Sequence, residues 1–238
     1  MINQFSRTEL LIGDDGVDKL KNSRVAVFGV GGVGGYVVEA LARSGVGTID
    51  IVDNDNVSLT NINRQIIALH STVGRPKVDV MEERIKDISP STVVNKHNCF
   101  FLPENSDNFD FRRYDYVVDA IDTVTGKIEL AVKCKEFNVP LIASMGAGNK
   151  LDPTAFRVAD IFKTKVDPLA RVMRNALKKR GIKKLKVVYS EEPPMTPLPS
   201  NEETSKKVVP SSTAFVPSVA GLIIAGEVIK DITGFNRH

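Results

Sequence analysis

Cysteine is scarce in this chain: Cys99 and Cys134 are the only two in 238 residues. No C-x-x-C pair occurs, so the usual cysteine framework for structural zinc is excluded and no zinc is expected. Two unlinked thiols suit a reducing cytoplasm. Long apolar runs are missing too. The nearest, residues 216–229, is broken by Pro217, Ser218, Gly226 and Glu227, and it falls short of the about 20 residues that span a bilayer. The opening MINQFSRTELLIGDDG has no basic region followed by an apolar core, so no secretory signal is expected and a cytoplasmic location is. Neither sign of charge dominates: 32 Lys plus Arg stand against 29 Asp plus Glu, a formal net charge of +3. The sequence contains no internal repeat.

What is present reads as an ordinary globular chain. Hydrophobic residues make up 42% and charged residues 26%, which excludes wholesale disorder. The length suits one large domain, residues 1–238, with a substantial core. Residues 24–28 (RVAVF) predict a buried strand, and residues 33–44 then place apolar side chains at helical spacing. Residues 48–52 predict a second strand. Pro76 can open a helix, with Val78, Met81, Ile85 and Ile88 on one face. Residues 92–95 predict a weaker strand, 116–120 a stronger one, 123–137 a helix and 140–144 a further strand. Such repeated strand–helix–strand units predict an α/β, doubly wound, mostly parallel, Rossmann-like sheet. Further on, residues 167–179 form an amphipathic pattern with Leu169, Val172, Met173, Ala176 and Leu177 inward. Residues 185–189 predict a strand, and the proline-rich, polar residues 193–210 a mobile loop. Residues 217–233 predict a closing helix with Gly234 as its C-terminal cap.

Gly29, Gly31 and Gly34 form G-x-G-x-x-G directly after the first strand and at the start of a helix. Without side chains the backbone can approach a phosphate closely, and the helix N-terminus offers free N–H groups and partial positive charge. The second strand leads into Asp53, at about the spacing where an acid meets a ribose hydroxyl. The turn predicts a nucleotide but does not choose which. The stretches DNDNVSLTNINRQ and GRPKVDV add Asp55, Asn63, Arg64 and Lys77. A dinucleotide needs little cationic charge beyond the turn. A triphosphate carries more negative charge, and its reaction moves further charge onto the leaving phosphates, which Arg and Lys stabilise. Asp122, just beyond the strand YVVDA, stands where a carboxylate can hold Mg²⁺ between phosphate oxygens. Taken singly, Arg64 and Lys77 could be solvated charges and Asp122 a helix cap. Together behind a glycine turn they point to ATP and Mg²⁺.

The series GVGGVGG, DNDNVSLTNINRQ, VGRPKV and DAIDT resembles the ubiquitin-activating-enzyme superfamily, which includes bacterial adenylyltransferases of sulfur-carrier proteins. The resemblance implies an ATP-binding half over residues 1–150. Asp53 would bind the ribose, with Asp55 beside it near the adenosine. Asn63, Arg64 and Lys77 would meet the phosphates, and Asp122 the magnesium. In this superfamily an N-terminal arginine reaches into the partner subunit's site. Arg7 matches it, which implies a homodimer with shared sites and a catalytic set of Arg64, Lys77, Asp122 and Arg7. The sequence departs from many relatives in lacking both the zinc motifs and a cysteine on a crossover loop. Cys134, on the helical face of Leu130 and Ala131, reads as a structural thiol, and so does Cys99, placed on a strand. No thioester is expected.

The second half narrows the resemblance. FKTKVDPLARVMRNALKKRGIKKLKVVYSEEPP and SSTAFVPSVAGLIIAGEVIKDITG are similar to the branch that dehydrates N6-threonylcarbamoyladenosine in tRNA to its cyclic form. Residues 151–238 would then bind substrate and tRNA and close the fold. From Lys163 to Lys186, ten Lys and Arg face one acid, Asp167. Arg171, Arg174, Lys178, Lys179, Arg180, Lys183 and Lys184 are accordingly the expected RNA contacts, with binding that weakens as salt rises. Few aromatics interleave these charges, so shape recognition is expected in place of base readout. The implied reaction is ATP-driven activation of the threonyl carboxylate, followed by intramolecular ring closure. A cysteine desulfurase with its sulfur acceptor is a further partner system to consider. Three rivals stay open at this level: adenylation of a carrier protein's C-terminal Gly-Gly, an NAD-dependent dehydrogenase, and a non-catalytic nucleotide-binding scaffold for sulfur transfer.

Overall fold

The computed structural model describes residues 2–199 and 210–235. Its first part runs α1 (Ser6–Lys21), β1 (Arg24–Phe28), α2 (Gly34–Arg43), β2 (Thr48–Val52), α3 (Lys77–Ile88), β3 (Val93–His97), β4 (Tyr116–Asp119), α4 (Val124–Glu136) and β5 (Leu141–Ser144). β6 (Phe156–Asp160), α5 (Pro168–Lys179), β7 (Lys186–Ser190) and α6 (Phe215–Thr233) follow. The strands build one sheet in the order β3-β2-β1-β4-β5-β7-β6. All neighbours pair in parallel except β6, which closes the edge antiparallel to β7.

Parallel strands covered on both sides need apolar residues at every position, and β1 shows why. Val25 and Val27 point into a core shared with Leu20 of α1, Val37, Val38 and Leu41 of α2, Val78 and Met81 of α3, and Ile224 and Val228 of α6. Ala26 and Phe28 point the other way, into a cluster with Leu130 and Cys134 of α4 and Phe101, Phe109 and Phe111. A third cluster packs α5, through Ala170, Met173 and Leu177, on Ala143 and Val187 of the sheet. Helices thus lie on both faces, as a doubly wound sheet requires. After β3 the chain returns to the other side of β1. Between β1 and β4 the strand order reverses, and in such sheets ligands bind outside the carboxyl ends at that point.

The structure corrects the sequence reading in several places. The helix α1 and the strand β6 were not anticipated. α1 is polar, with Leu10 and Leu11 exposed and a left-handed Gly13 (φ +74) inside it, so it has no continuous apolar stripe. β6 is an edge strand with exposed Arg157 and Val158, so it lacks the apolar run that marks the buried strands. Val172, expected inward, is 50% exposed. Cys99 lies beyond the end of β3 and is not on a strand. α6 begins at Phe215, with Pro217 in its first turn, where the missing N–H costs nothing. Of the loop expected over 193–210, residues 200–209 lie outside the described residues. Residues 193–199 have no regular secondary structure. Among the described residues no helix is long and apolar enough to cross a membrane.

Candidate functional site

The chain leaves β1 through Gly29, whose φ of +90° lies in the left-handed region that glycine enters without strain. A Cβ on Gly29 would fall 2.7 Å from the carbonyl oxygen of Ala120, and one on Gly34 would fall 1.7 Å from the oxygen of Gly29. These two glycines are required by the fold itself. Gly31 is different: the nearest heavy atom to a Cβ there is Gln65 Nε2, at 3.9 Å. The open space at Gly31 is what a turn that receives a ligand needs.

Asp53, at the carboxyl end of β2, is joined directly to this turn. Its Oδ2 accepts the Val30 N–H at 2.7 Å, and its Oδ1 accepts the Asp55 N–H at 2.9 Å. Lys77, the first residue of α3, donates from Nζ to Asp55 Oδ2 at 2.7 Å and lies 3.8 Å from Asp53 Oδ1. The Lys77 N–H also reaches the Asp55 carbonyl, at 3.0 Å. Glycine turn, two acids and lysine therefore form one hydrogen-bonded group. Lys77 is only 5% exposed, so its ammonium is aimed by packing and not left to wander.

Asn63 and Arg64 follow a short 3-10 turn, Leu59–Asn61. Arg64 Nη1 donates to the Thr60 carbonyl at 3.0 Å and to Asn63 Oδ1 at 2.9 Å, while Asn63 Nδ2 donates to the Ser212 carbonyl at 3.0 Å. Arg64 Cγ and Pro217 of α6 both pack over Gly32, at 3.4 and 3.3 Å from where its Cβ would stand. Sequence reasoning assigned no role to Gln65. It is 6% exposed and its Nε2 faces Gly31; among the described residues its Oε1 has no hydrogen-bond partner, nor has Thr213 Oγ1, one residue after Ser212. Buried polar atoms left unpaired are rare and costly, and Gln65 carries one beside the open turn.

Asp122 is exposed at the carboxyl edge of β4, with Thr123 Oγ1 3.5 Å from its Oδ1. Beneath it lies a fully buried ion pair: Lys127 Nζ donates to Asp119 Oδ1 at 2.9 Å and to the Ile121 carbonyl at 3.0 Å. Burial pushes the Asp119 carboxyl up, with Lys127 opposing. The pair pins the loop that carries Asp122. Arg7 is exposed near the start of α1. Burial pushes the Cys134 thiol well up, as it does, less strongly, for the half-buried Cys99. Neither is an activated nucleophile. Among the described residues no three His, Cys, Asp or Glu side chains group as a metal site.

The basic stretch is on the surface. Arg171, Lys178, Lys179, Arg180, Lys183 and Lys184 are exposed on α5 and the turn after it. Arg174 is half-buried, and its guanidinium is engaged with Thr164, through both the carbonyl, at 3.2 Å, and the hydroxyl. The buried Asp167 caps α5 by accepting the Ala170 N–H at 2.8 Å.

Comparison with known proteins places these features in a lineage. The chain is 52% identical to the tRNA threonylcarbamoyladenosine dehydratase of Bacillus subtilis, over 98% of this chain and 95% of that protein. It is 36% identical to tRNA threonylcarbamoyladenosine dehydratase 2 of Saccharomyces cerevisiae, over 97% of this chain and 57% of the yeast protein. The crystal structure of Escherichia coli tRNA N6-threonylcarbamoyladenosine dehydratase, TcdA, in complex with ATP superposes with a TM-score of 0.89 at 34% identity, covering 97% of this chain and 94% of that one. A model of the ThiF family matches residues 5–238. Sheet order, glycine turn and end-to-end similarity converge, and the chain belongs to the ThiF family.

Proposed function

We propose that this protein is an ATP-dependent tRNA threonylcarbamoyladenosine dehydratase, which converts N6-threonylcarbamoyladenosine in tRNA to its cyclic form. The observation that carries the reading is the joined group of Val30, Asp53, Asp55 and Lys77 around the open Gly31, in a chain 52% identical to the Bacillus dehydratase along nearly its whole length. The residues fit ATP: Gly31 leaves the turn open, and the amide of the buried Gln65 turns its Nε2, a donor, toward that opening.

ATP supplies the group that turns the threonyl carboxylate, a poor electrophile, into one with a good leaving group. The protein's part is orientation and charge. Gly29, Gly31 and Gly34 give the backbone access to the phosphates. Asp53, held by two N–H groups, presents its carboxylate to the ribose. Asp55 serves mainly by holding Lys77, which with Arg64 and Asn63 meets the phosphates and stabilises charge as it develops there. Asp122 would be the single protein ligand to Mg²⁺, which habitually keeps water and phosphate for its other positions. Ring closure by a neighbouring atom of the same threonylcarbamoyl group needs no enzyme nucleophile, in keeping with two thiols that burial holds in the neutral form.

Arg7 acts in a homodimer, from one subunit into the other's site. Leu10 and Leu11, 89% and 57% exposed on the same helix, give a second copy an apolar surface to cover. The exposed cations of α5 and its following turn receive the tRNA backbone. The test is mass spectrometry of tRNA nucleosides before and after incubation with purified protein and ATP. Loss of one water from threonylcarbamoyladenosine is expected, and an unchanged nucleoside in the presence of ATP and Mg²⁺ overturns the reading.

A further inference from the structure

Among the described residues three lysines are buried, Lys77, Lys127 and Lys150. Two have a carboxylate partner: Lys77 meets Asp55 at 2.7 Å and Lys127 meets Asp119 at 2.9 Å. Lys150, 3% exposed, has none at ion-pair distance among the described residues, where its Nζ makes one hydrogen bond, to the Gly146 carbonyl at 2.9 Å. The two carboxylates whose charges reach it, Asp167 and Glu192, stand beyond ion-pair distance and are held by backbone N–H groups. Asp167 accepts the Ala170 and Gly146 N–H groups, at 2.8 and 3.1 Å. Glu192 accepts Leu151 N–H at 2.9 Å on Oε1 and Asp152 N–H at 2.9 Å on Oε2. An ammonium with three donors, one of them used, is costly to bury with no anion in contact. Burial accordingly pulls the Lys150 ammonium below the ordinary lysine range, with Asp167 and Glu192 opposing.

Its position is informative. β4 and β5 are neighbours, paired through Asp119 and Ala143. Three residues beyond that pair, one chain reaches Asp122 and the other reaches Gly146, the acceptor of Lys150. The adjoining Asn149 clamps Ser211, donating its N–H to the Ser211 carbonyl at 2.9 Å and accepting the Ser211 N–H on Oδ1 at 2.7 Å. The next residue, Ser212, holds Asn63. Lys150 therefore stands at the same carboxyl edge as the nucleotide-side residues. The loop leading to it, residues 146–149, is partly exposed and contains two glycines, so a small group can come close.

We propose that Lys150 is the residue that receives the carboxylate of the substrate's threonyl group and presents it for activation. This rests on the dehydratase reading and deepens it. The anion that would complete the pairing of Lys150 is the one the reaction must hold still.

The test compares binding of tRNA bearing threonylcarbamoyladenosine, the same tRNA with that carboxylate converted to an amide, and unmodified tRNA, to wild type, Lys150→Met and Lys150→Arg. Wild type should bind the carboxylate form about 10- to 100-fold more tightly than the amide form. In Lys150→Met that ratio should fall to near one, with affinities for ATP and unmodified tRNA unchanged, and Lys150→Arg should restore part of it. A wild-type ratio near one overturns the proposal even if the methionine variant does not fold. So does a Lys150→Met variant that keeps the ratio and loses only kcat, which would mark a proton-transfer role. A wild type that binds but does not convert the nucleoside with ATP defeats the dehydratase reading instead.

Discussion

Lys77 Nζ and Asp55 Oδ2 are 2.7 Å apart, although 59% of the Asp55 side chain is exposed and only 6% of the Lys77 side chain is. The acid reaches in from solvent to hold a buried cation. Lys77→Met should therefore remove the phosphate-side charge, with a loss of about 100-fold or more in kcat/KM. Stability should fall as well: Asp55 returns to water, but Asp53, whose side chain is only 9% exposed, loses the cation 3.8 Å from it. Asp55→Asn, which keeps a weaker bond, should lose less. Turnover assays beside thermal melts decide this, and near-wild-type turnover in Lys77→Met would remove the lysine from the machinery.

Gly31 and Gly34 should respond differently to the same methyl group. In Gly34→Ala the Cβ would meet the Gly29 oxygen at 1.7 Å, so the turn must break open and the melting temperature should drop markedly. In Gly31→Ala nothing lies closer than 3.9 Å. That variant should melt near wild type and yet bind ATP weakly. Equal effects on folding and binding in both variants would contradict the division.

The Asp119–Lys127 pair should show a pH-dependent cost when broken. Lys127→Met leaves a buried carboxylate without its cation, at about 3–5 kcal/mol. Burial already pushes the Asp119 carboxyl up, and losing the cation pushes it further above the unfolded value of about 3.9. Below that value both states are protonated and the loss is smallest. As pH rises toward the folded-state value, the unfolded chain ionises first, so the variant loses further stability. Denaturant melts at several pH values measure this, and a cost that shrinks with rising pH would refute the assignment.

The cations of α5 should separate by role. Lys178→Glu with Lys179→Glu should weaken tRNA binding at low salt and flatten its salt dependence, because each phosphate contact contributes roughly 0.9 to the logarithmic slope. Arg174→Ala should also lower the melting temperature, since that guanidinium is tied to Thr164. Binding isotherms at several salt concentrations, beside melts, test the distinction. A salt slope unchanged by the double reversal would place the RNA elsewhere.

Much of the fold could be read locally, because strands buried on both faces and helices with one apolar stripe leave periodic signatures. β1, β2, β4, β5, β7 and the helices α2 to α5 are of this kind, while the edge strand β3 is half exposed and leaves a weaker signature. α1 and β6 were missed because neither buries a continuous apolar stripe. Val172 fits the helical period but lies on the part of α5 that the core does not cover. Asp53, Asp55 and Lys77 were legible as motif residues. Their bonding to one another was not, since Lys77 is 22 positions beyond Asp55. Gln65 and Lys150 left no local signal, because a glutamine or lysine reads the same whether solvated or buried.

Taken alone, the sequence determined the glycine positions, the strand–helix alternation and the concentration of cations after Lys163. These depend on backbone geometry, side-chain periodicity and charge, all of which are local. The tertiary structure decided which glycine is needed by the fold and which leaves room for a ligand. It also decided which lysines have an acid to answer them. Both depend on groups distant in sequence meeting at the carboxyl edge of the sheet, and burial there makes a missing partner costly enough to be informative.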